Sequence, residues 1–216
     1  MKKRLIFVLG SILIVLMAAV MLFAANASEV YQEYGLYIGG TPVTSKNLSG
    51  SGWHFEPETN TLVLNGFEIT SGGYCHQKIN DGTTWLYSFI YVEDSKSMNL
   101  TIRTEGKEST IGYGALAGKN AVSAGDGTYN SYFGIYNKNG NVTITGSARL
   151  YIYTNQLCIY TAKKITVDEC HGGVSMYAHV NGIKSKDLIV KGGSQVSVTC
   201  GYSGGDDYQS AITASR

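Results

Sequence analysis

Short runs of alternating apolar and polar side chains recur along the C-terminal part of the chain in a fixed order of three. The first pattern is Gly134-Ile135-Tyr136, then Cys158-Ile159-Tyr160, Gly182-Ile183-Lys184 and Ala211-Ile212-Thr213, with its isoleucines 24, 24 and 29 residues apart. The second is Val142-Thr143-Ile144, Ile165-Thr166-Val167 and Leu188-Ile189-Val190, at intervals of 23. The third is Leu150-Tyr151-Ile152, Val174-Ser175-Met176 and Val196-Ser197-Val198, at 24 and 22. Alternation with period two marks a strand with one buried face. A repeat in the low twenties, built from three short strands and no amphipathic helix, predicts an all-β chain folded as a parallel β-helix solenoid, three strands per coil. The general preference of parallel crossovers makes it right-handed. Ile135, Val142, Ile144, Leu150 and Ile152 are then expected to point inward, and Tyr136, Thr143 and Tyr151 outward.

Earlier segments fit less regularly. Leu62-Val63-Leu64 and Phe67-Glu68-Ile69 read as second and third strands of a first coil. Phe89-Ile90-Tyr91, Leu100-Thr101-Ile102 and Ser109-Thr110-Ile111 supply the next. In this alignment the variable connections, 70–88, 112–133, 153–157, 177–181 and 199–210, all fall between a third strand and the following first strand. They are therefore expected to leave from one corner. Residues 28–61 break the repeat. Gly39-Gly40 punctuates two strand-like runs, and the turn-rich Trp53–Asn60 segment follows, so this stretch is expected to be an irregular N-terminal β cap closing the open end of the solenoid. The coils occupy 62–216, and the pattern stops at Arg216 just after a first strand, which reads as a truncated gene or a fragment.

The chain opens Met1-Lys2-Lys3-Arg4, runs apolar from Leu5 to Ala25 and closes with Ala25-Asn26-Ala27. A basic start, an apolar run and a small-x-small site predict a signal peptide over 1–27. The apolar run is also long enough for an uncleaved anchor, which would be the one link to a membrane. Both readings place the remainder outside the cell or on its surface. Loss of the leader removes three of the 17 basic side chains and leaves 16 acidic ones in a slight excess. No basic patch points to nucleic acid. Cys75, Cys158, Cys170 and Cys200 allow three disulfide connectivities and show no metal-knuckle spacing. The neighbours Cys75-His76 and Cys170-His171 are read as packing or bridging cysteines rather than thiol–imidazole nucleophiles.

The run Leu36-Tyr37-Ile38-Gly39-Gly40-Thr41-Pro42-Val43-Thr44, followed by Trp53-His54-Phe55-Glu56-Pro57-Glu58-Thr59-Asn60-Thr61-Leu62-Val63-Leu64-Asn65, resembles the leading module of large secreted β-helical repeat proteins of Gram-positive (Firmicutes) bacteria. Repeats similar to "Gly-Ile-Tyr … Val-Thr-Ile-Thr-Gly" follow it, as they do here, and the resemblance spans residues 34–216. These proteins are loosely grouped with carbohydrate-binding surface proteins. The resemblance implies the fold and an extracellular location, and it carries over no catalytic residue.

Outward tyrosines supply the main candidate chemistry. Tyr136 and Tyr160 stand at equivalent positions, followed by Lys184. Tyr153 and Tyr177 form a second column ending in Thr199, with Tyr151 beside it. An aromatic ring with a hydroxyl tip offers a sugar both an apolar platform and a hydrogen bond. Tyrosine is also a favoured strand residue that stacks in any ladder. The corner connections add Tyr74, His76, Asp81, Trp85, Tyr113, Asp126, Tyr129, Asp206, Asp207 and Tyr208. Long connections on a rigid scaffold are where binding residues concentrate. Asp206-Asp207 are the candidate Ca²⁺ ligands, the one cofactor considered, of the kind that neutralises a uronate in lyases of this fold class. The residues favour a non-catalytic exported carbohydrate-binding protein whose partner is a polysaccharide or cell-surface glycan, contacted through Tyr136, Tyr160, Tyr151, Tyr153, Tyr177, Trp85, Tyr129 and Tyr208. Two alternatives stay open: an adhesin-like or structural surface protein, and a polysaccharide lyase or hydrolase. No residue signals an oligomeric state.

Overall fold

A computed structural model describes residues 31–79, 84–114, 122–123, 129–201 and 212–214. Among these the chain is all-β, without an α-helix. The leader, and with it the question of cleavage or anchoring, lies outside the described residues. No described helix is long and apolar enough to cross a membrane.

Antiparallel strands come first: β1 (Glu33–Ile38), β2 (Thr41–Thr44), β3 (Ser49–Gly50) and β4 (Trp53–Glu56). Gly39 and Gly40, at φ +60° and +83°, make the tight turn that folds β2 back on β1. Next come β5 (Thr61–Leu64), β6 (Glu68–Ile69), β7 (Tyr74–Ile79), β8 (Thr84–Val92), β9 (Leu100–Thr104), β10 (Ser109–Ile111) and the short β11 (Val122–Ser123). From there the strands run β12 (Tyr129–Tyr136), β13 (Val142–Gly146), β14 (Leu150–Thr154), β15 (Leu157–Tyr160), β16 (Lys164–Cys170), β17 (Val174–Ala178), β18 (Asn181–Ser185), β19 (Asp187–Lys191), β20 (Val196–Cys200) and β21 (Ile212–Ala214).

These strands form three open sheets. The first is ordered β2-β1-β8-β12-β15-β18-β21, with β7 beside β8 and β11 beside β12; the second is β19-β16-β13-β9-β5-β4-β3; the third is β20-β17-β14-β10-β6. The third sheet is wholly parallel. The first and second are mixed, because β1, β2, β7 and β11 in one and β3 and β4 in the other pair antiparallel. From β12 onward the chain visits first, second and third sheet in unchanging order.

The register follows the sequence pattern residue for residue. Ile90, Ile135, Ile159, Ile183 and Ile212 align across the first sheet. Leu100, Val142, Ile165 and Leu188 align across the second, and Ser109, Leu150, Val174 and Val196 across the third. One core receives all three inner faces, with Ile135, Ile144, Leu150, Ile152, Ile159 and Ile165 fully buried. Size is alternated where the first sheet meets the third: Gly134 lies under Cys158, and a Cβ there would press on the Cys158 carbonyl and the Ile152 side chain. Glycine is what lets those strands close on one another.

Turns between sheets are tied by polar side chains. Buried Asn137 donates through Nδ2 to the carbonyls of Met98 (2.8 Å) and Asn141 (3.2 Å) and accepts from the Gly140 amide. The amides of Asn141 and Lys164 donate in turn to the side-chain oxygens of Asn99 and Asn141, at 3.0 and 3.2 Å. Backbone groups that leave the ladder between first and second sheets thus find side-chain partners.

The long connections do fall at one step, from third sheet to first. Part of what reads as loop in the sequence is strand: β7 doubles back along β8, β11 lies along β12, and β8 and β12 begin before the repeat pattern does. Hairpin-like pairing of β7 with β8 and of β11 with β12, and the long-range pairing of β8 with β12, satisfy these backbones, and none of it follows the repeat period.

Candidate functional site

Two aromatic surfaces lie on outward faces of the sheets. On the third sheet, Tyr151, Tyr153 and Tyr177 alternate with buried Leu150, Ile152 and Met176 and remain partly exposed. The Tyr153 and Tyr177 rings stack at 4.9 Å with 9° between planes, and Tyr151 lies 6.2 Å along the strand from Tyr153 at 15°. The strand above Tyr151 carries Ser175 and the one below carries Thr110, so small hydroxyl side chains flank that ring where Tyr153 has Tyr177. Arg149, exposed at the rim, donates to the Tyr151 hydroxyl at 3.4 Å and to the Gly172 carbonyl at 3.2 Å. Half-burial and the neighbouring tyrosines raise the Tyr153 phenol above its ordinary value, so its O–H is a donor at neutral pH. Flat rings, hydroxyl tips and one guanidinium, with the Glu108 carboxylate acting on that guanidinium, form the strip.

On the first sheet the rings form a longer ladder: Tyr37, Tyr91, Tyr136 and Tyr160 on successive strands, with Lys184 5.9 Å over the Tyr160 ring. It is sealed over its two middle rings. Tyr91 and Tyr136 are only 7% and 8% exposed. The expected open column at Tyr136 is thus corrected: β7 brings Tyr74 to 4.6 Å from Tyr91 and His76 to 4.4 Å from Tyr136, and both rings pack over the ladder. Burial, together with the Asp94 carboxylate, raises the Tyr136 phenol. Tyr37 donates to the Glu93 carboxylate at 2.8 Å, which raises its own phenol. Tyr160 keeps partial exposure at the end of the ladder.

The remaining candidates scatter. Trp85 sits on β8 with the Lys78 ammonium 4.2 Å over its ring, away from the third-sheet strip. Tyr129 opens β12 opposite Thr84. Asp81, Asp126, Asp206, Asp207 and Tyr208 lie outside the described residues, so the candidate Ca²⁺ site does too. No group of three His, Cys, Asp or Glu among the described residues is placed to hold a metal. All four cysteines are free thiols, and burial raises each of them, Cys158 to about 12. An open recess of about 320 Å³ at the turn between second and third sheets contains Arg103, Glu105, Glu169 and His171. Arg103 is committed there to Glu56 and Glu105, and it holds the Glu56 carboxyl below its ordinary range.

Tyr37, Tyr91, Asp94 and Arg149 are the site residues that sequence reading missed. Tyr91 was recoverable, because Phe89-Ile90-Tyr91 repeats Gly134-Ile135-Tyr136. Tyr37 enters by antiparallel pairing, for which no spacing gives a signal.

An all-β chain with parallel ladders and two aromatic faces is therefore the class that fold and site define. No family model, curated protein or solved structure matches it.

Proposed function

We propose that this chain is an exported, right-handed parallel β-helix that binds carbohydrate without catalysis, using Tyr151, Tyr153 and Tyr177 with Arg149. The β-helical reading rests on the cyclic visiting of three sheets and the unbroken Ile135–Ile159–Ile183 register. The extracellular reading rests on the leader pattern of residues 1–27. One observation carries the binding reading: near-parallel, partly exposed rings at 4.9 and 6.2 Å on one rigid sheet, with the Arg149 guanidinium beside them. Apolar ring surface meets the C–H face of a pyranose, while phenol and guanidinium serve its hydroxyls. The rings turn a corner, from Tyr151 to Tyr153 along one strand and from Tyr153 to Tyr177 across to the next, and offer adjoining platforms to successive sugar units.

A glycan array and polysaccharide retention assay on residues 28–216 tests this. Retention of at least one polysaccharide is expected, falling tenfold or more in a Tyr151→Ala/Tyr177→Ala variant that keeps its far-UV circular dichroism. Absence of retention, or retention that survives both substitutions, refutes it.

A further inference from the structure

β7 is held to the body along one edge only, by antiparallel pairing with the first half of β8. Its register shifts between Cys75 and Gln77, so His76 is the extra residue of a β-bulge. Bulges re-aim a side chain, and this one turns His76 onto the outward ladder of the first sheet. Its ring lies 5.1 Å from Tyr91, 4.4 Å from Tyr136 and 5.7 Å from Phe133. Nε2 is buried there without a hydrogen-bond partner.

The surroundings suit a neutral imidazole and no other form. Tyr91 faces it from β8, Phe133 and Tyr136 from β12, and Tyr74 is its neighbour on β7. Asp94, in the turn after β8, is the carboxylate that acts on it, and Asp94 is already bound to the Lys138 ammonium at 3.3 Å. The nearby Glu93 carboxylate is taken by the Tyr37 hydroxyl. A proton on Nε2 would gain attraction from ring faces and from a shared carboxylate, and would lose its water.

We propose that the Tyr74–Ile79 strand is a detachable cover over the Tyr91–Tyr136 ladder, pinned by neutral His76 and released in mildly acidic solution. Burial supports the direction, since it lowers the His76 imidazole from 6.5 to about 4. The folded value lies below the unfolded one. The pin therefore holds fully above pH 6.5 and weakens as pH falls from 6.5 to about 4. Release turns a sealed ladder into an open one, whatever the third-sheet strip binds.

Hydrogen exchange of the full chain between pH 7.5 and 4, corrected for intrinsic rates, reads the cover directly. Protection of residues 74–79 should fall at least tenfold between pH 6.5 and 4.5 while β13 and β16 keep theirs. In His76→Phe, which fills the same space and cannot titrate, protection should stay level. His76→Gln serves if that variant does not fold; its cover should be weaker at every pH and still level. Trp85 emission in a Trp53→Phe background should shift over the same range as Lys78 leaves its ring. Level protection in the unchanged chain, equal pH dependence in the His76 variants, or simultaneous loss in β13 and β16 would each overturn the proposal.

Discussion

Tyr136 and Tyr177 obey the same rule of alternation, each beside an inward residue on a parallel ladder, yet one is sealed and the other is open. The difference comes from the connection that precedes the strands. Before β8 the chain spends enough residues to lay β7 along it and fold Tyr74 and His76 over the outer rings. Before β17 it passes from the second to the third sheet in a short turn and leaves Tyr153 and Tyr177 partly exposed. An outward position in a strand is thus only a candidate surface. Neighbouring backbone decides whether it becomes a second core or a binding face.

The sharpest break in this comparison contrasts inner and outer sides of one strand. Ile159→Asp places a charge among fully buried neighbours with no partner, and should cost about 4 kcal/mol or more, enough to abolish cooperative folding. Tyr160→Asp, at the half-exposed end of the ladder, should cost about 1 kcal/mol. Equal tolerance in urea melts would mean that the register is wrong. Next, Tyr136→Ala removes a ring packed on Tyr91, His76 and Tyr160, and should cost about 3 kcal/mol. Tyr177→Ala loses one stacked face on an open surface and should cost about 1 kcal/mol, with its larger effect on polysaccharide retention. The same denaturation series run at pH 7.5 and 5 should separate the two surfaces again. Destabilisation at the lower pH should disappear in His76→Phe and persist in Tyr177→Ala, because the imidazole lies with the sealed ladder. The smallest effect is expected from Lys78→Ala, which removes one exposed cation–π contact worth about 0.5 kcal/mol and is read best as a change in Trp85 emission.

The strand register was legible because it rests on two periods that side chains cannot hide. Alternation assigns Ile135, Val142 and Leu150 to one side of their strands, and the spacing near 23 residues stacks Ile159, Ile165 and Val174 on them. The covering of Tyr136 was not legible. It depends on a one-residue bulge at His76 and on pairing between segments whose sequences share no period, so the repeat carries no sign of a strand within residues 70–88. The third-sheet rings were found for the opposite reason: nothing but the repeat places them. Arg149 precedes its strand, where a charged side chain gives no signal of its own, and only the fold brings it beside the Tyr151 hydroxyl.

Cys158, paired between Gly134 and Gly182 on the neighbouring strands, is fully buried, and that has a chemical consequence. Its thiol lies 3.5 Å from both the Ile152 carbonyl and the Thr154 hydroxyl, and burial keeps it protonated far above neutral pH. Alkylating reagents consume thiolates, so this sulfur is silent while the strands stay together. It reacts only in molecules that have parted at that level. The rate at which Cys158 takes up label is therefore a clock for opening of the interior, and partly exposed Cys75 and Cys200 in the same molecule give the reference against which it runs.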